Sequence, residues 1–172
     1  MTSGTILLVE DNPNDEALTL RALKKSGITN RVVVAHDGAE ALDYMFRTGI
    51  YTERDLADMP AVVLMDLNLP KIGGLEAVRR IREKPETKLV PVVILTSSDE
   101  EEDRLRGYQV GANSYVRKPV EFHKFVAAVQ QLGLYWLLLN EPTPPNRRND
   151  SLDGNRAPDS APRGLNPGRR DP

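Results

Sequence analysis

Four apolar runs in the sequence each end on a side chain capable of chemistry. Thr5-Ile6-Leu7-Leu8-Val9 runs into Glu10 and Asp11, and Ala61-Val62-Val63-Leu64-Met65 stops on Asp66. Val92-Val93-Ile94-Leu95 reaches Thr96, and Ser114-Tyr115-Val116 leads to Arg117-Lys118. Carboxylates brought close together repel and raise one another's pKa unless a cation lies between them. Oxygen ligands with no sulfur or imidazole nearby suit Mg²⁺, which keeps several waters and often shares a phosphate oxygen. An aspartate held between Mg²⁺ and a lysine is a nucleophile whose phosphorylated product would be charge-compensated. Asp is also a common turn-former after strands, and that would explain Asp11 or Asp66 taken alone. Two acidic ends, a hydroxyl end and a Lys-Pro end within one unit call for a joint explanation.

The elements that must position these groups are legible around them. Runs of four or five apolar residues are too short to span a membrane and suit strands covered on both faces. Asn12-Pro13-Asn14-Asp15 starts a helix with acids at its positive end, carrying Ala17, Leu18, Leu20 and Leu23 and closing at Gly27. Val32 to Ala35 reads as a strand, Asp37-Gly38 as its exit turn, and Ala39 to about Phe46 as a helix. Residues 48–60 form a polar connector longer than usual, in which 55–58 either extend the helix or make a turn. Pro70 and Gly73-Gly74 turn the chain into a basic helix, Leu75 to Lys84, stopped by Pro85. Asp99 to Val110 is a helix with an acidic first turn, and Glu121 to about Asn140 is the last. This alternation predicts an α/β fold: a five-stranded parallel sheet, doubly wound, with helices on both faces. In such sheets ligands bind at the carboxyl ends of the strands.

Composition narrows the function. The chain has 172 residues, 40% hydrophobic and 28% charged, with a formal net charge of −2, enough for one domain with a real core. That balance provides no basic field for nucleic acid. With no cysteine, disulfides, thiolate metal sites and a Cys nucleophile are excluded. His36 and His123 are too few for a zinc site without carboxylate help, and both read as surface residues with no phosphorelay role. Met-Thr-Ser-Gly is no signal peptide, and Leu134 to Leu139 is too short for a bilayer, so a cytoplasmic protein without membrane contact is expected. Residues 141–172 hold seven of the 13 prolines and mix six arginines with five acids, the pattern of a solvated, disordered tail. The expected division is 1–4 as an N-terminal extension, 5–140 as the domain and 141–172 as the tail.

The motifs Leu7-Leu8-Val9-Glu10-Asp11, Leu64-Met65-Asp66-Leu67-Asn68-Leu69-Pro70 with Gly73-Gly74, Leu95-Thr96-Ser97 and Tyr115-Val116-Arg117-Lys118-Pro119 resemble, in order and spacing, the receiver domain of two-component response regulators. The resemblance covers about residues 5 to 140 and implies the flavodoxin-like receiver fold. It implies that Asp66 is the phosphoacceptor, taking a phosphoryl group from a sensor histidine kinase. Asp11, Asp66 and the backbone carbonyl of Asn68 would ligate Mg²⁺, with Glu10 acting through water. Lys118 would pair with Asp66 and then with a phosphoryl oxygen. Thr96 would donate its hydroxyl to another, and Tyr115 would change rotamer in step. Asn68 and Ser98 would control the hydrolytic water, and Lys118-Pro119 would be a cis peptide. Such a protein is no enzyme beyond its own Mg²⁺-dependent phosphorylation and dephosphorylation. It could instead relay the group to a histidine phosphotransfer protein.

No effector domain is evident after the receiver, so output is expected through protein contacts. Phe122, Phe125, Val126, Val129, Leu132 and Trp136 suffice to face the sheet from the last helix. Leu134, Tyr135, Leu138 and Leu139 then form extra apolar surface, which either folds over the domain itself or builds a homodimer seam with the last strand. This ending and the 48–60 connector look similar to regulators that partner bacterial phytochrome kinases. Rival readings fit less well. A haloacid-dehalogenase-type phosphatase wants an acid two residues after its nucleophile, where this chain has Asn68. A flavodoxin-like cofactor binder wants a phosphate-cradling loop where Glu10-Asp11-Asn12-Pro13 stands.

Overall fold

A computed structural model describes residues 4–55, 58–118 and 121–141. Five parallel strands, β1 (Ile6–Val9), β2 (Val32–Ala35), β3 (Val62–Met65), β4 (Val92–Thr96) and β5 (Ser114–Arg117), lie in the order β2-β1-β3-β4-β5. Five α-helices alternate with them: α1 (Pro13–Lys25), α2 (Gly38–Phe46), α3 (Gly74–Glu83), α4 (Glu101–Gln109) and α5 (Phe122–Gly133). The expected doubly wound α/β fold is therefore the one observed.

Alternation along each strand divides the core in two. Leu7, Val9, Val63, Met65 and Val92 pack with Ala41, Met45, Ala77 and Ile81 of α2 and α3. Ile6, Leu8, Val62, Leu64, Val93 and Leu95 pack on the other side with Ala22, Leu23, Phe125 and Val129 of α1 and α5. β1, β3 and β4 are buried throughout, while the edge strands β2 and β5 are half-covered. Under α4 a small third cluster joins Leu67, Ile94 and Ala112 to Tyr115. There Gly107 faces the sheet, and a Cβ on it would lie 2.8 Å from Ile94 Cδ1 and 3.2 Å from Tyr115 Cδ2.

Two regions depart from the sequence reading. The last helix does not run regularly to Asn140: α5 ends at Gly133 and gives way to a π-helical turn, Leu134–Leu139, in which Asn140 N donates to Tyr135 O at 2.7 Å. In an α-helix every fourth residue advances past a full circle, so Phe125, Val129, Gly133 and Leu137 would drift off the sheet. The wider turn rotates less per residue and brings Leu137 back inside, a core residue the spacing did not single out. Phe122, Val126, Leu132 and Trp136 do pack against that core as expected. The 48–60 connector is ordered by Arg54, whose guanidinium lies 4.2 Å over the Tyr44 ring and donates to Tyr44 O and Asp58 O. A short 3₁₀ turn, Gly49–Tyr51, precedes it, and Asp58 N bonds Asp55 O as a turn. Most of the expected tail, residues 142–172, lies outside the described residues.

At the amino-terminal edge of the sheet, Arg82 of α3 donates to Gly111 O at 2.8 Å, Val90 O at 2.8 Å, Lys88 O at 3.0 Å and Asn113 Oδ1 at 2.8 Å. Asn113 Oδ1 also accepts from Val92 N at 2.8 Å. One side chain thus ties α3 to the entrances of β4 and β5. Replacing Arg82 with Met leaves several carbonyls without their charged donor, which should cost about 2–3 kcal/mol in urea denaturation. A loss below about 0.5 kcal/mol would show that water replaces it freely.

Candidate functional site

Strand register brings the acids together. The chain leaves β1 for β2 on one side and returns to β3 on the other, so the topology reverses between β1 and β3. Val9 is paired with Met65, which sets the next residues, Glu10 and Asp66, side by side at the carboxyl rim. Glu10 N then bonds Ala35 O at 3.0 Å and Asp66 N bonds Val9 O at 3.0 Å. On the other side Thr96 pairs with Arg117, and Lys118 N bonds Thr96 O at 2.7 Å, which delivers the lysine to the same rim.

The loops at this rim are tightly held. Asn12 caps α1 by accepting from Asn14 N at 2.9 Å and Asp15 N at 3.3 Å. After β3 the chain folds back so that Gly74 N bonds Leu67 O at 2.9 Å. A Cβ at Gly74 would lie 2.1 Å from Asp66 O, so only glycine permits this return. Lys71, with a left-handed φ of 61°, ties the same loop to Asp37 Oδ2 at 2.5 Å. The loop carries Asn68, whose side chain is exposed.

Glu10, Asp11 and Asp66 each present an oxygen such that all three lie within 4.8 Å of one another. Asp11 is exposed, whereas Glu10 and Asp66 are only 1% and 8% accessible. Asp66 Oδ1 is buried with no hydrogen-bond partner among the described residues. An orphaned carboxylate oxygen beside two further carboxylates is a donor set that fits a hard divalent cation. Among the described residues it is the one acidic or imidazole cluster with that spacing.

Lys118 is nearest to Glu10 Oε2, at 2.5 Å, then to Asp15 Oδ2, at 3.0 Å, and stands 4.0 Å from Asp66 Oδ1. The expected pairing with Asp66 is thus the longest of three ion pairs among the described residues, and Glu10 takes the ammonium on Oε2 and the Asn12 amide on Oε1, 3.1 Å away. Burial pushes the Glu10 carboxyl above the usual carboxylate value, although Lys118 pulls against it. Burial also works against the Lys118 ammonium, but the Glu10 hydrogen bond and the Asp66 charge outweigh it and raise its pKa. Asp15 was not expected here: its place in the first turn of α1 is accounted for by the helix dipole, and sequence spacing carries no sign of its reach to Lys118.

Thr96 is fully buried, and its Oγ1 accepts from Ser98 N at 3.3 Å. The Tyr115 hydroxyl is also buried; Ser98 lies alongside, but its own hydroxyl is given to Asp103 Oδ2 at 2.7 Å, leaving Tyr115 without a bonded partner among the described residues. Pro119 lies outside the described residues, and with it the expected cis peptide. His36 and His123 are exposed and stand beside Glu16 and Glu121, each at 3.1 Å. Leu134, Tyr135, Leu138 and Leu139 are exposed, at 50%, 52%, 66% and 65% accessibility.

Residues 6–130 match the family described as the response regulator receiver domain. The chain is 35% identical over 132 residues to the response regulator Rcp1 of Synechocystis sp., covering 77% of this chain and 88% of Rcp1. The crystal structure of the Mn²⁺-bound form of Rcp1 matches at a TM-score of 0.74 and 33% identity, over 82% of this chain and 99% of that one. The phosphorylated cyanobacterial phytochrome response regulator RcpA matches at 0.75 and 34% identity, over 81% and 97%. The bacteriophytochrome response regulator AtBRR is 54% identical, with a TM-score of 0.65 over 80% and 98%.

Titration with Mn²⁺, followed by loss of the free-ion EPR signal, should count one ion per chain. Asp11→Ala and Asp66→Asn should each weaken it by about tenfold or more, since each removes a charged oxygen ligand. Binding unchanged in both variants would place the ion elsewhere.

Proposed function

The chain belongs to the response regulator receiver domain family, and from that premise we propose that Asp66 accepts a phosphoryl group from a sensor histidine kinase and signals through altered protein contacts. The observation that carries this is the buried, unpartnered Asp66 oxygen at the switch point of the sheet, flanked by Glu10, Asp11 and Lys118. An Asp66 oxygen attacks phosphorus while the bond to the donor breaks, the donor leaving with the electron pair. The protein's share of this transfer is positioning and charge neutralisation. Asp11, Asp66 and the Asn68 carbonyl would hold Mg²⁺, with Glu10 acting through water, and the ion would supply positive charge opposite the transferring oxygens. Lys118 lies 4.0 Å from Asp66 and swings to a phosphoryl oxygen, and Thr96, two strands from Glu10 on the same rim, donates its hydroxyl to another.

The readout runs through Thr96 and Tyr115. Both hydroxyls are buried or nearly so, and the Tyr115 ring packs with Ile94 beneath α4, so a pull on Thr96 biases two packings of that face. Asn68 and Ser98 border the path of the hydrolysing water. Self-phosphorylation from small phosphodonors and autodephosphorylation are the only reactions assigned. The kinase is a bacteriophytochrome, a reading supported by the likeness to RcpA and AtBRR. The protein works in the cytoplasm with neither nucleic acid nor membrane as partner. It pairs with a second copy through the last strand and helix, where Leu134, Tyr135, Leu138 and Leu139 leave an apolar surface open.

Incubation with acetyl phosphate and Mg²⁺, read by intact mass, should add one phosphoryl group. Asp66→Asn should abolish it and Asp11→Ala should slow it by about tenfold or more; labelling that survives Asp66→Asn refutes the assignment. In light scattering, Leu138→Asp should give half the parent's mass, and equal masses would show that this surface does not join two copies.

A further inference from the structure

Asp15 reaches Lys118 at this rim, yet the phosphoacceptor reading has no use for it. Its backbone is fixed independently of its carboxylate: Asp15 N donates to Asn12 Oδ1 at 3.3 Å, and Asp15 O accepts from Thr19 Oγ1 at 2.8 Å. The carboxylate itself, 37% accessible, takes Lys118 at 3.0 Å, an angstrom nearer than Asp66 is to the same ammonium. Below the lysine is a cavity of about 60 Å³ lined by Asp15, Leu18, Thr19, Lys118 and Phe125. The Lys118 stem therefore has free space on the α1 side, and Asp15, which lines that space, is one of its ammonium's partners. A cation held among Glu10, Asp11 and Asp66 would compete with Lys118 for Glu10, and the lysine would then divide between Asp15 and Asp66.

We propose that Asp15 is a positioning residue that holds Lys118 back from Asp66, so that its carboxylate sets how fast the phosphoryl group is accepted. The inference rests on Asp66 being the phosphoacceptor. Before transfer, part of the lysine population faces α1 and cannot neutralise the incoming oxygens. As the Asp66–phosphorus bond forms and acetate or another leaving group departs with its electron pair, the new charge on the phosphoryl oxygens draws Lys118 off Asp15. Loss of the Asp15 charge removes the competing anchor and leaves the lysine to Asp66.

The test is the rate of phosphorylation by acetyl phosphate at saturating Mg²⁺, followed by intact mass in the full chain. Asp15→Asn should react about three- to tenfold faster than the parent, the gain of one unshared charge contact in the transition state. Asp15→Glu, which keeps a carboxylate able to hold the lysine, should return most of the parent's slower rate. Glu16→Gln removes the same charge from the same turn, but Glu16 faces His36 rather than Lys118, and its rate should stay within about twofold of the parent. Asp15→Asn at or below the parent's rate overturns the proposal. So does an equal acceleration in Glu16→Gln, which would reduce the effect to general repulsion of the anionic donor. A parent that is not modified, or is modified away from Asp66, defeats the phosphoacceptor reading instead.

Discussion

The rim of this sheet depends on how the buried carboxylates Glu10 and Asp66 are compensated. A charge removed from water costs several kcal/mol unless it is paired and hydrogen-bonded. Lys118 is the cation that enters this space, with 11% of its side chain accessible, and it meets Glu10, Asp15 and Asp66 at once. One ammonium cannot balance them together with Asp11. The site is built with a surplus of negative charge, which makes it receptive to a divalent cation and sensitive to any further charge placed on Asp66.

That arrangement is possible because the backbone leaves little freedom at the strand ends. The pairing of Val9 with Met65 puts two acids level on adjacent strands, and a slip of one residue would turn one of them toward a helix face. The β3–α3 loop is closed over Asp66 at Gly74 and pinned laterally by Lys71 on Asp37. Asp37 also caps α2 through Glu40 N at 2.8 Å, so its carboxyl, whose burial is outweighed by Lys71, sits below the usual range. At the opposite edge Arg82 and Asn113 bind the strand entrances. The sheet is thus anchored at its far edge as well as at the rim that carries the chemistry.

The strands, the clustered acids and Lys118 were legible because strands buried on both faces read as unbroken apolar runs, and because each run stopped on a chemically distinct residue. The family resemblance of those motifs added Tyr115 to the same picture. What escaped has a common physical character. Asp15 meets a lysine 103 residues away, and helical periodicity tells which face a residue occupies but not which distant charge it will meet. Arg54 and Arg82 act by donating to main-chain carbonyls, contacts that impose no pattern on the residues they join. The turn of π-helix escaped because its cause is the fit of Leu137 against the sheet, and helical spacing alone fits Trp136 as well.

Gly107 gives the face over β5 a mechanical property of its own. The helix there carries no side chain toward the sheet, so the Tyr115 ring occupies room that even a methyl group would contest. The inward pose of the ring therefore depends on the missing side chain at this position, and its buried hydroxyl has no bonded partner among the described residues. Bulk at this one helical position would act as a preload on the ring, shifting its balance before any signal arrives.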